Sequence, residues 1–141
     1  MKIVFRIEVQ RDEANRIIGF TASGHTNYSA KGQDIVCAAI SALTQTAILG
    51  LDKVAGINPT VEVDSGYLRC SLPSVLEPVK KMAAGVVLDT MIVGIEQIAT
   101  QYSQHVRIIN HNNPNNMVAN NNMFQEEPIT EKVKLTRIVD I

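Results

Sequence analysis

The sequence predicts an α+β fold: a mainly antiparallel sheet with two apolar helices packed on one face, in the order β-β-α-β-β-α-β. Three observations lead there. Short stretches alternate apolar and polar residues with the period of half-buried strands. Two long stretches repeat apolar residues at helical intervals with few charges among them. Turn residues separate the pieces.

The first strand is KIVFRIEVQ, in which Ile3, Phe5, Ile7 and Val9 stand against Lys2, Arg6 and Glu8. The polar run RDEAN is turn material. RIIGFTASG follows with Ile18, Phe20 and Ala22 on one face and ends at Gly24, so the two segments are expected to pair as a hairpin. From Asp34 to Leu49 the spacing becomes helical, with Val36, Ile40, Leu43 and Ala47 on one stripe. A helix with so few polar residues must be buried on several sides. INPTVEVDSGYLRCSLP holds two alternating runs joined at Asp64-Ser65-Gly66, a hairpin signal because glycine tolerates positive φ. Ser74 is a natural N-cap for the second helix, whose residues Leu76, Val79, Ala83, Val86, Thr90 and Val93 recur at helical intervals with Pro78 in the early turns. QHVRIIN reads as a closing strand.

At Asn110 the composition changes. Eight of the thirteen residues from 110 to 122 are asparagine, a tract with little to bury. Residues 1–109 are therefore expected to form the domain and residues 110–141 a flexible, Asn-rich extension. Within it, EKVKLTRIVDI regains alternation and is suited to an edge strand, a partner contact or a mobile end.

The chain of 141 residues, 45% hydrophobic and 19% charged, is long enough for one domain with a core. Its formal net charge of -1 and its lack of tryptophan argue against a nucleic-acid face. The charged N-terminus is unlike a secretory leader, and no run approaches roughly 18 uninterrupted apolar residues. A cytoplasmic protein without direct nucleic-acid or membrane partners is expected. Two cysteines, Cys37 and Cys70, suffice for neither a metal cage nor a disulfide framework, so no metal or cofactor is expected and both should be thiols.

Chemistry concentrates in GHTNYSAKGQDIVCAAISALTQTAILGL, residues 24–51. With Asp34 as N-cap, Cys37 would be the third helical residue, where unbonded N–H groups and the helix dipole favour a thiolate. His25 precedes it in a loop of small and polar residues and could take the thiol proton, then give one to a leaving amine. N–H groups around Cys37 and Ala38, or the Gln33 amide, could hold an oxyanion. The plain readings stand beside these. A cysteine in an Ala/Ile/Leu-rich helix is commonly a small buried hydrophobe, Asp34 is most simply a cap, Ser41 fills space between helices, and Gln33 is a solvated amide. Cys70 alternates with Leu68 and Leu72 and belongs to the core face of a strand. His105 and His111 read as surface residues, and Met82 and Met91 as core filler. The segment from Thr26 to Gln33, with Gly32 as hinge, is expected to order over a bound peptide.

Three segments, GFTASGHTNYSAKGQDIVCAAISALTQTA, GYLRCSLP and LDTMIVGIEQIATQYSQHVRI, together resemble the ribosomal-processing cysteine protease (Prp) family over about residues 1–109. The specific part is the pairing of GH with GxDIVCAAxS. The resemblance implies a homodimeric α+β enzyme that removes the N-terminal extension of a large-subunit ribosomal protein precursor, with Cys37 as nucleophile and His25 as proton partner. Asp34 and Ser41 fall at family-pattern positions as supporting residues, and Gly24, Gly32 and Gln33 border the substrate loop. A cysteine endopeptidase is the leading expectation. A noncatalytic ribosome-assembly or peptide-binding module is the alternative, and a redox-sensing thiol is disfavoured by the lack of a CxxC pair.

Overall fold

The computed structural model describes residues 5–24 and 31–111, the side chains of 31–34 excepted. The elements follow the expected order: β1 (Phe5–Arg11), β2 (Ile17–Ser23), α1 (Lys31–Leu49) running into a π-helical turn (Gly50–Val54), β3 (Thr60–Asp64), β4 (Tyr67–Ser71), α2 (Pro78–Gln101) and β5 (Val106–His111). The sheet runs β3-β4-β2-β1-β5. Among the described residues every pairing is antiparallel except β1 with β5, which are parallel because α2 crosses over between β4 and β5. β5 ends at His111, two residues into the stretch that composition assigns to the extension.

Alternation places the strands as read. Phe5, Ile7 and Val9 are buried, whereas Arg6, Glu8 and Gln10 are wholly or partly exposed on the other face. Beside them lie Phe20 and Ala22 of β2, Leu68 and Cys70 of β4 and Val61 of β3, and all of these join one core with the helices. One strand residue departs from the pattern. The register shifts between Gln10 and Arg11, which pairs Arg11 with Ile17, so Ile17 rather than Ile18 enters the core.

Both helix starts differ from expectation. α1 begins at Lys31, three residues before Asp34, which is the fourth helical residue and not the N-cap. A carboxylate is favoured throughout the first turn as well as at the cap, so the residue type alone does not mark the boundary. α2 begins at Pro78, not after Ser74. Proline fits the first helical position, where its missing N–H costs nothing, and it drives the preceding residue away from helical angles. Glu77 is accordingly extended (φ -63°, ψ 152°).

The buried side of α2 is also not the one the sequence marks. Ala84, Leu88, Met91, Ile92 and Ile95 face the core. Val79, Met82, Val86 and Val93, at 68%, 71%, 62% and 59% exposure, form a stripe on the opposite side, so Met91 is core filler and Met82 is not. A helix apolar on two sides satisfies the periodicity test with either. By length and composition both helices could cross a membrane. In this fold each lays an apolar side on the sheet and on the other helix.

The helices are locked at close approaches. Leu43 lies against Gly94, where a Cβ would come within 3.1 Å of the leucine Cδ1. At the far end Gly56 (φ +69°) stops the π turn. Its carbonyl accepts a 2.9 Å bond from Lys80 Nζ, which ties the end of the first helix to the start of the second.

Two predictions follow from the sheet. A Cβ at Gly19 would lie 2.8 Å from the backbone carbonyl oxygen of Cys70. Gly19→Ala should therefore destabilise the fold by about 1–3 kcal/mol in urea unfolding, because strand backbones cannot yield as a flexible side chain can. An unchanged midpoint would show that β2 and β4 are not held so closely. Burial pushes the Cys70 thiol from 9.0 up to about 12. The folded chain thus keeps a proton that the unfolded chain releases. The resulting stability is whole below about pH 9 and is lost as pH rises toward about 12, with a slope of up to ~1.4 kcal/mol per pH unit. Above about pH 9, Cys70→Ala should lose stability less steeply than the parent chain; identical slopes would mean that the buried thiol is not what titrates.

Candidate active site

Gly24 closes β2 with φ +108°, a conformation that side chains rarely permit. Its N–H donates to the Gly66 carbonyl oxygen at 3.0 Å, pinning the exit of β2 to the turn between β3 and β4. β2 and β4 are antiparallel, so this is the end of the sheet where β4 begins and where β1 and β5 also start. α1 sets out from the same end. α2 returns to it and continues through Tyr102 and His105 into β5, with the Phe5 N–H donating to the His105 carbonyl oxygen at 2.7 Å.

Cys37 is the seventh residue of α1 and not the third. Its N–H, and that of Ala38, therefore fall where an α-helix spends each N–H on the carbonyl four residues back. The expected oxyanion donors cannot be these two groups. The groups left without intrahelical partners belong to the first turn, which starts at Lys31. Gly32 and Gln33, expected in the loop, are likewise the second and third helical residues. His25 and the side chains of Gln33 and Asp34 lie outside the described residues.

What surrounds Cys37 is clear on the helix itself. Cys37 is half-buried and packs against the core, Val36 and Ile40 are buried beside it, and Ala38 and Ala39 are half-buried. On the inward side runs a polar row that apolar spacing did not reveal: Ser41, Thr44 and Gln45, at 1%, 0% and 3% exposure. With Cys37 they fall at i, i+4, i+7 and i+8, one side of the helix. Thr44 Oγ1 donates to the Ile40 carbonyl at 2.9 Å. Its sequence signal was present as TQ interrupting an otherwise apolar stripe.

The second cysteine makes the contrast. Cys70 lies on the core face of β4, where desolvation favours the neutral thiol and removes its nucleophilicity at ordinary pH. The other histidines are less bland than the sequence suggested. His111 Nε2 lies 3.1 Å from Glu8 Oε1 across β1 and β5. The His105 Nδ1 atom is buried with no hydrogen-bond partner among the described residues. No cluster among the described residues could hold a metal ion.

Comparison with known proteins agrees with this frame. Residues 4–107 match the family profile described as Cysteine protease Prp. The ribosomal processing cysteine protease Prp of Bacillus subtilis is 30% identical over 102 residues, 71% of this chain and 91% of that protein. Its namesake from Mycoplasma pneumoniae is 32% identical over 92 residues, covering 61% of this chain and 80% of that one. Crystal structures of Staphylococcus aureus Prp, one with a substrate peptide and one with a covalently linked product peptide, superpose with a TM-score of 0.68. They cover 77% of this chain and all of theirs at 18% and 19% identity, so they show a shared fold. A half-buried cysteine in the helix after β2, the five-stranded sheet beneath it and the match across nearly the whole folded part agree: this chain belongs to the Prp family of cysteine proteases.

Proposed function

We propose that this chain is a cytoplasmic cysteine endopeptidase that removes the N-terminal extension of a bacterial large-subunit ribosomal protein, with Cys37 and His25 as its dyad. The observation that carries the reading is the placing of the two thiols in a chain of this family. Cys37 is half-buried in the second turn of α1, and Cys70 is sealed in the sheet. The relatives are named for ribosomal processing, and the S. aureus enzyme has been crystallised with substrate and with covalently linked product.

The reaction needs only a nucleophile and a proton carrier, hence no metal or cofactor. The His25 imidazole takes the Cys37 thiol proton as sulfur attacks the scissile carbonyl carbon. The tetrahedral oxyanion is held by first-turn N–H groups or by Gln33. It collapses as the C–N bond breaks, and His25 returns the proton to the departing amine. Water, deprotonated by His25, then attacks the thioester, the C–S bond breaks, and the thiol recovers its proton. Ser41, one turn below Cys37 and almost wholly buried, supports the sulfur position, and Asp34 supports the helix start. Gly24 sets the direction in which the loop to His25 leaves β2, and Gly32 and Gln33 border the bound peptide.

The enzyme is a homodimer in this reading. The outward stripe Val79, Met82, Val86 and Val93 spans much of α2, and an apolar face of that extent on a surface helix is best satisfied by a second copy.

Incubation of the pure protein with the extended ribosomal protein, read by intact mass, should yield one shortened product. Cys37→Ala and His25→Ala should each lose cleavage at least ~100-fold while melting as the parent does. Turnover retained in Cys37→Ala would reject the nucleophile. Val86→Glu should convert the dimer to a monomer in light scattering, since a carboxylate cannot be buried unpaired at an apolar seam. A monomeric parent chain would reject the dimer.

A further inference from the structure

The face of the sheet turned away from the helices is polar, and its charges are unevenly placed. In the row nearest the end where β2 stops, the register sets Asp64, Tyr67, Ser23, Arg6 and Arg107 side by side across the five strands. Arg6 and Arg107 are direct neighbours, and both are exposed. Like charges directly opposite one another on a sheet are destabilising. The acids of the same face are spent elsewhere. Glu8, one row further on, lies 3.1 Å from His111 Nε2. Asp64 stands three strands from Arg6, and its Oδ1 accepts the Ser65 N–H at 2.7 Å. Neither arginine has an ion pair among the described residues.

Two adjacent guanidinium groups open to water suit an anion, because each fork of N–H donors matches the oxygens of a carboxylate or a phosphate. Position decides between them. Arg6 pairs with Ser23, which stands two residues before His25 in the chain. α1, with Cys37 in its second turn, sets out from the same end of the sheet. Four to six extended residues cover about 13–20 Å, so a peptide held at the Cys37 sulfur can pass over the sheet end to the arginines. A phosphate backbone fits the face less well. Glu8, Glu62 and Asp64 share it, and the formal net charge of the chain is -1, which disfavours a long polyanion, whereas a single carboxylate needs only the corner.

We infer that Arg6 and Arg107 hold an acidic side chain of the substrate protein, four to six residues from the scissile bond, and so help to select the chain that is cut. This rests on the protease reading above. The contact is remote from the reacting atoms, so it strengthens substrate binding and leaves the chemical step as it is.

Peptides that span the cleavage junction of the extended ribosomal protein, with each position exchanged in turn for Glu or Lys, test this through the kinetics of their cleavage. At one position four to six residues from the scissile bond, Glu should give a kcat/KM at least about tenfold above Lys, through KM with kcat unchanged. Arg6→Glu combined with Arg107→Glu should reverse that preference, and Arg6→Lys with Arg107→Lys should keep part of it. Arg107→Glu alone should abolish the preference and raise the melting temperature, because it turns a like-charged pair into an opposite one. Cleavage without any such position overturns the inference while the protease reading stands. So does a preference that charge reversal leaves intact in a chain melting as the parent does. Charge reversal that weakens binding of a labelled single-stranded RNA, with the peptide preference unchanged, would assign the arginines to phosphate and overturn it too. If the parent chain cuts no peptide, the protease reading fails and the inference with it.

Discussion

Only one face of this sheet is apolar, and both helices have to share it. That constraint sets the position of everything at the candidate site. β1 offers Phe5, Ile7 and Val9 to the helices and turns Arg6, Glu8 and Gln10 to the other side, and the remaining strands do likewise. Two helices of 19 and 24 residues on one face must lie close together. They do so at Leu43 against Gly94, where absence of a side chain lets the leucine enter. Once α1 is set against α2 there, the height of Cys37 above the end of β2 follows from helical rise alone, about 9 Å or six residues from Leu43. The pinning of Gly24 to Gly66 then fixes where the chain starts toward that helix. The Cys37 thiol is placed by packing remote from it.

The strands were legible because a half-exposed sheet writes its two faces into alternate residues. The exception shows why: the register shift at Gln10/Arg11 is a backbone event that leaves no mark on the apolar pattern, so Ile17 and Ile18 exchange roles unannounced. The helices were legible as helices but not as faces. α2 is apolar on opposite sides, and the 3.6-residue period reports only that stripes exist, not which of them the sheet covers. Pro78 carried a clear local instruction, that a helix can begin there, and the capping preference of Ser74 lost to it.

The candidate site divides in the same way. Cys37, Ser41 and their spacing could be read from the motif, and the structure adds that Ser41 is buried one turn below the sulfur with Thr44 and Gln45 continuing the row. Buried polar residues on a core helix are costly unless partnered, so such a row speaks for a demand on order near the thiol. The difference between Cys37 and Cys70 was also readable, since a strand alternation that contains Leu68 and Leu72 leaves Cys70 no access to water. What residue spacing could not supply was the helix start. Moving it from Asp34 to Lys31 carries Cys37 about a full turn deeper, to a position where an α-helix spends the residue's own N–H on the carbonyl four residues back.

The proposed function stands on one step, in which the Cys37 sulfur becomes covalently bonded to the carbonyl carbon of the scissile peptide. Rapid mixing of the pure protein with the extended ribosomal protein, acid quench and peptide mapping by mass spectrometry test it most directly. A transient acyl adduct should appear on the peptide that contains Cys37, with the mass of the removed extension less water, rising and decaying as product forms. Product formation with no adduct at any time, in a chain whose Cys37→Ala variant cleaves equally well, would contradict it.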